Sequence, residues 1–278
     1  MVGQPTDGRK SNSSAGSNPA VIPPLAVRHW GAGPDKPDLV LLHGWGFHSG
    51  IWEELAATLA PHWHIHGVDL PGHGESPPPS TKLDIHDFGA AVAAVVPAGA
   101  VWLGWSLGGM IALARSAHCP QDLAGVLVVA ASPRFIAGPG WSIGMAPALL
   151  ADFSQGVMAD WQGTLGRFLL LQTRGMAREP VRALRDLMLA LPPDPGALAM
   201  GLTLLAQTDL RPVLQQITCP GLVILGDRDT LVSPKTATAW SYYRPDWPVH
   251  LLPDTGHLPF ITHRPLFSQV LAEFAPRN

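Results

Sequence analysis

From about Leu25 the chain alternates short apolar runs with segments of helical periodicity, and this alternation limits the possible folds more than any other feature. Residues 38–42 ("DLVLL"), 63–70, 100–105 ("AVWLGW") and 123–131 ("LAGVLVVAA") read as strands, as do 221–225 ("GLVIL") and 249–252. Residues 51–59, 85–96, 107–117, 235–243 and 266–274 read as helices; in the first, Trp52, Leu55 and Leu59 share one side. Strands without a polar face must be covered on both faces, and strands that alternate with helices pair in parallel. The expected fold is therefore α/β, with a mostly parallel, doubly wound sheet. Residues 133–205 carry several helical runs and no strand-like one, which predicts a helical cap inserted between two strands. The expected division is a flexible tail over 1–24, core over 25–132, cap over 133–205 and core again over 206–278.

Composition narrows the setting. With 46% hydrophobic and 14% charged residues among 278, one large core can be buried. A net charge of −3 gives no global footprint for nucleic acid or an anionic membrane. No apolar stretch approaches the roughly 20 residues of a membrane span. The first 20 residues lack the apolar segment of a signal peptide. Cys119 and Cys219 are too few for a disulfide framework and read as buried thiols of a reducing compartment. A cytoplasmic monomer is expected, with neither nucleic acid nor membrane as partner.

Within this frame one stretch carries chemistry. "GWSLGG" places Ser106 between a strand and a helix, boxed by Gly104, Gly108 and Gly109. Glycines permit a sharp turn that exposes the hydroxyl, and the following helix offers N–H groups to an oxyanion. The same pattern also suits a plain turn in which the serine caps the helix. A nucleophilic hydroxyl needs a base, and the base needs an orienting carboxylate. "LGDRDTLVSP" supplies Asp227 and Asp229 just past one strand, and "LLPDTGHLPF" supplies His257 just past the next. Their order along the chain, serine, acid, histidine, suits an α/β sheet and favours the nucleophile over the capping turn. "HGWG" follows the strand 38–42, so the Trp45 N–H is the candidate second oxyanion donor, facing that of Leu107. His43 reads as a loop-stabilising residue.

With these residues placed, the chain from about Leu25 onward resembles the α/β-hydrolase superfamily. "VDLPGHGES" (68–76) matches that superfamily's loop before the nucleophile strand, where Asp69 is structural. "HGWG", "GWSLGG", "RFLLLQTRG", "LALP" and "TDLRPVLQQI" together are similar to the carboxylesterases that hydrolyse the methyl ester of pimeloyl-acyl carrier protein in biotin synthesis. The resemblance implies Ser106 as nucleophile, Asp229 rather than Asp227 as orienting acid, and His257 as base. It implies that Trp45 and Leu107 hold the ester carbonyl. Phe168, Leu169, Leu170, Leu171 and Gln172 then line an acyl channel. Arg167, Arg178 and Arg182 match arginines that dock the carrier protein, although Gly163 stands where another is expected. The implied substrates are the carrier-bound ester and small esters, with no cofactor and no metal.

Five arginines, Arg167, Arg174, Arg178, Arg182 and Arg185, fall within one short stretch against two acids, Glu179 and Asp186. Arginine forks suit an acidic carrier protein. "HWHIH" puts His62, His64 and His66 on one face if extended, but no carboxylate or cysteine adjoins them in sequence, so no metal site is expected. Trp45, Trp105 and Trp141 are placed at the pocket's border. Readings other than the carrier-bound ester are a general short-chain esterase, a carbon–carbon bond hydrolase, or a ligand-binding module that kept the fold. The last has no need of all three catalytic groups.

Overall fold

The computed structural model describes residues 22–31, 33 and 36–274, so most of the expected tail (residues 1–21) lies outside the described residues. Seven strands form one sheet: β1 (Val27–Trp30), β2 (Asp38–Leu42), β3 (His64–Val68), β4 (Ala100–Trp105), β5 (Leu123–Val129), β6 (Gly221–Gly226) and β7 (Val249–Leu252). Their order is β1-β3-β2-β4-β5-β6-β7. β1 runs antiparallel to β3, and every other adjacent pair is parallel. β4 and β6 are buried at every residue, as strands covered on both faces must be. The fold is thus α/β, with a mostly parallel sheet.

Helices α1 (Glu53–Leu59), α2 (Ile85–Ala93) and α3 (Leu107–His118) connect the first strands. α2 starts sharply because Asp84 and Asp87 form a capping box, each carboxylate accepting from the other's end of the turn. Four helices lie between β5 and β6: α4 (Pro147–Ala159), α5 (Trp161–Gln172), α6 (Arg178–Ala190) and α7 (Pro195–Gln207). Then come α8 (Thr236–Tyr243), α9 (Pro259–Thr262) and α10 (Arg264–Ala272). No single helix among the described residues is long and apolar enough to cross a membrane.

The α4–α7 insertion sits over the carboxyl ends of the strands, tied there by polar contacts. Trp45 Nε1 donates to the Leu198 carbonyl at 2.8 Å, and Asp194 N to that of Gly72 at 2.8 Å. Thr230 Oγ1 donates to the Leu171 carbonyl at 3.1 Å.

Several expected boundaries shift. The helix expected at 51–59 divides into a 3-10 turn, Ser49–Trp52, and α1. The helix expected at 85–96 ends at Ala93. The strand expected through 131 stops at Val129, because Ala130 has a φ of 44° and cannot continue a ladder. β1 has no counterpart in the sequence reading: "VRHW" is an edge strand exposed at its two middle residues, so it shows no apolar run.

Candidate active site

The turn from β4 into α3 is a single residue, Ser106. Ser106 has φ 55° and ψ −116°, a conformation that costs about 1–3 kcal/mol for a residue with a Cβ. Its N–H donates to the Val129 carbonyl at 2.9 Å, which fixes it against β5. The flanking glycines answer a steric need. A Cβ on Gly104 would stand 2.2 Å from the Gly108 oxygen, and one on Gly108 would stand 2.4 Å from the Leu42 oxygen. α3 therefore starts in direct backbone contact with β4 and β2, and Ser106 is held at the carboxyl end of the sheet.

The loops after β6 and β7 bring the acid and the base together. His257 Nδ1 lies 2.7 Å from Asp229 Oδ2, with both side chains essentially fully buried. Asp229 Oδ1 accepts from the N–H groups of Leu231 (2.8 Å) and Val232 (3.0 Å), so the carboxylate is fixed at both oxygens. As carboxylate, Asp229 accepts from Nδ1–H, which leaves the Nε2 lone pair of the neutral ring available. That Nε2 is buried and has no hydrogen-bond partner among the described residues. Asp227 is exposed and braces the loop instead, accepting from Thr255 N at 3.1 Å. Of the two acids that the sequence offered, the structure brings Asp229 to the histidine.

Beneath these residues lies an aromatic floor that the sequence reading missed. Trp105 is fully buried rather than bordering a pocket; its ring lies 5.5 Å from the His257 ring and 5.3 Å from those of Phe47 and Phe260. The signal was present in the position of Trp105, directly before the serine. Trp141 lies against Arg211, with the guanidinium 5.6 Å from its ring.

Two backbone N–H groups are the expected oxyanion donors, and neither is committed elsewhere among the described residues. The Leu107 N–H is the first of α3, and helix geometry gives it no intrahelical acceptor. The Trp45 N–H has no hydrogen-bond partner among the described residues. The loop that carries Trp45 is anchored by His43, whose Nε2 accepts from Leu70 N (2.9 Å) while Nδ1–H donates to the Gly44 carbonyl (2.9 Å). Burial keeps this imidazole neutral, its pKa lowered to about 3, and burial likewise lowers that of His73 to about 4. For Asp69, burial alone would raise the pKa. The nearby His43 and the N–H groups of Glu75 and Ser49 outweigh it, leaving the pKa below the usual carboxylate value. Asp69 thereby ties the 69–76 loop to the loop after β2.

In α5 the expected channel residues divide by helical face. Phe168, Leu169 and Gln172 are buried, with the Phe168 ring 4.7 Å from that of Trp45. Leu171 is half-buried, and Leu170 is 64% exposed, turned outward by the 3.6-residue period. The Gln172 amide is buried without a hydrogen-bond partner among the described residues. It lines a cavity of ≈ 160 Å³ together with His257, Arg174 and Met176. Outside, a groove of ≈ 930 Å³ between α5 and α6 is lined by all five arginines, Arg167, Arg174, Arg178, Arg182 and Arg185. Arg182 and Arg185 reach Asp186 at 3.8 and 3.4 Å. Arg167, Arg174 and Arg178 form no ion pair among the described residues.

The histidine array departs from its expected membership. His62 lies in the turn before β3, while His29 from β1 joins His64 and His66. The carboxylate absent from the local sequence comes from β2, where Asp38 Oδ1 lies 2.7 Å from His66 Nε2 and 3.1 Å from His64 Nδ1.

A model of the alpha/beta hydrolase family matches residues 39–269. The chain is 43% identical over 241 residues to a pimeloyl-[acyl-carrier protein] methyl ester esterase of Xanthomonas oryzae pv. oryzae, covering 86% of this chain and 94% of that protein. It is 37% identical over 252 residues to the protein of the same name from Vibrio cholerae serotype O1, covering 90% and 98%. Among solved structures, an esterase from Exiguobacterium antarcticum is similar in fold, with a TM-score of 0.81 at 21% identity over 90% of this chain and 94% of that one. An enol-lactonase from Burkholderia xenovorans LB400 gives 0.79 at 22% identity, over 90% and 95%.

Proposed function

The chain belongs to the alpha/beta hydrolase family, and on that premise we propose that it is a serine carboxylesterase acting on the methyl ester of pimeloyl-acyl carrier protein. The reaction releases methanol and frees the distal carboxyl group of the carrier-bound acyl chain. Ser106 Oγ attacks the ester carbonyl while His257 Nε2 takes its proton. The N–H groups of Trp45 and Leu107 receive the negative charge that develops on oxygen. His257 returns the proton to the departing methanol, and water then attacks the acyl-enzyme with His257 again as base. Asp229 holds the imidazole in the tautomer that each step requires and stabilises it when charged.

The observation that carries this reading is the buried Asp229–His257 pair, whose Nε2 is uncommitted, together with a strained serine at the end of β4 whose neighbour Trp105 is hydrogen-bonded to the His257 carbonyl. The substrate assignment is supported by the relatives at 37–43% identity that carry this activity in their names. Helices α4–α7 act as the cap, which runs from 133 through the end of α7 at Gln207, two residues past the expected boundary at 205. Phe168, Leu169 and Gln172 face the acyl chain from it. The acidic carrier docks on the arginine groove through Arg167, Arg178 and Arg182. Arg174, Gly175 and Met176 line both this groove and the small cavity beside His257, which gives the acyl arm a short inward path. The enzyme works as a monomer in the cytoplasm.

The test is methanol release from pimeloyl-acyl carrier protein methyl ester, compared with the same ester lacking the carrier. Faster turnover of the carrier-bound ester is expected. Equal rates would leave a general esterase.

A further inference from the structure

Three adjacent strands, in the order β1-β3-β2, place four metal-ligating side chains on one face of the sheet. His29 and His66 are direct cross-strand partners in the antiparallel β1–β3 pair, so their side chains share a face. His64 and His66 are two residues apart in β3 and share that face too. Asp38 is the register partner of His64 in the parallel β2–β3 pair. The rings are in contact, with centroids 4.4 Å apart for His64–His66 and 5.0 Å for His29–His66. One ligand nitrogen from each of the three histidines lies within 4.8 Å of the others.

The chemistry of this set is that of a first-row divalent cation site. Bonds of 2.0–2.1 Å to imidazole nitrogen in tetrahedral geometry put neighbouring ligand atoms about 3.3 Å apart. The Asp38 oxygen already stands 2.7 and 3.1 Å from two imidazole nitrogens, and His29, exposed on the edge strand, is free to close the remaining gap. His66 is buried, with its Nε2 turned toward Asp38 and the proposed site. One cation can use a lone pair from each of the three imidazoles, with the carboxylate balancing its charge.

We propose that His29, His64 and His66, with Asp38, form a binding site for a zinc-type divalent cation that fastens edge strand β1 to β3 and β2. Asp38 and His64 open their strands, at the amino end of the parallel sheet, whereas Ser106, Asp229 and His257 follow carboxyl ends. The site is therefore structural and separate from the ester chemistry. A cation that binds only the folded chain raises its unfolding temperature as its concentration increases.

The test uses the full chain without a histidine tag, titrated with zinc chloride by calorimetry and followed by thermal unfolding. One equivalent should bind with a Kd on the order of 1 μM or below, and the unfolding temperature should rise with zinc. The His29→Gln and His64→Gln double variant should bind about 100-fold more weakly or worse and lose the thermal response. His29→Gln alone, at an exposed position, should weaken binding without altering the metal-free unfolding temperature. His62→Gln should behave as wild type. Wild-type protein that binds no zinc at about 100-fold above that Kd would overturn the proposal. So would a double variant that binds as well as wild type, or a His62→Gln variant that loses binding to the same extent.

Discussion

Trp105 Nε1 donates a hydrogen bond of 2.8 Å to the carbonyl oxygen of His257, so the residue before the proposed nucleophile holds the backbone of the proposed base. The two are 152 positions apart in sequence, and the bond is buried. It couples the elbow after β4 to the loop after β7. Trp105→Phe keeps most of the ring but leaves that buried carbonyl unpaired, at a cost of about 1–3 kcal/mol. Turnover should fall by up to about 10²-fold, through misplacement of the imidazole, with less change in KM. Steady-state kinetics on a small ester checks this. An unchanged kcat would show that the bond does not position the base.

Ser106→Ala should abolish ester turnover, by several orders of magnitude, while the fold persists. Alanine carries the same Cβ through the φ of 55°, so no additional backbone strain arises. A fluorophosphonate probe should label wild type at one residue and leave this variant unlabelled. Labelling of the variant would place the nucleophile elsewhere.

Asp229→Asn should lower turnover by about 10⁴-fold, because the amide favours the wrong imidazole tautomer. Asp227→Asn should change it little, since Asn retains an oxygen to accept from Thr255 N. Comparison of kcat for the two variants separates the roles, and a larger loss for Asp227→Asn would reverse them.

Stability should fall as pH drops from about 6.5 toward 4. In the unfolded chain His43 and His73 take protons near the ordinary value of 6.5, whereas in the folded chain they do so only near 3 and 4. Between these limits the unfolded state binds more protons, so acid favours unfolding, by about 1.4 kcal/mol per pH unit for each group at most. Urea unfolding should show a lower midpoint at pH 4.5 than at pH 7, and His73→Asn should make the dependence shallower. A midpoint that does not move would contradict the buried, neutral state of both rings.

Charge reversal of Arg178 and Arg182 to Glu should weaken use of the carrier-bound ester, most strongly at low salt. Hydrolysis of p-nitrophenyl acetate should stay near the wild-type rate, because neither side chain approaches Ser106 or His257 in this reading. Equal loss on both substrates would show that these arginines support the cap structurally.

Runs such as "DLVLL" and "GLVIL" are apolar because both faces of a central parallel strand are buried, so their alternation with helical segments revealed the sheet and its class. The elbow was legible for a similar reason: the close approach of α3 to β4 demands glycine at 104 and 108, and the demand is written locally. β1 was invisible because an edge strand exposed at its middle residues has no pattern to show. Leu170 could be assigned to the channel from sequence, yet the rotation of α5 against the core turned it outward.

The sequence by itself determined the α/β class, the order of serine, acid and histidine, and the helical insertion, all of which follow from burial periodicity and local backbone sterics. The choice of Asp229 over Asp227 came from the family resemblance, and the structure places Asp229 against His257. Only the tertiary structure decided that Trp105 braces that histidine and that Asp38 and His29 join His64 and His66. Each of these depends on which strands lie side by side and in what register. Strand order is set by the packing of the whole sheet, and no local run of residues encodes it.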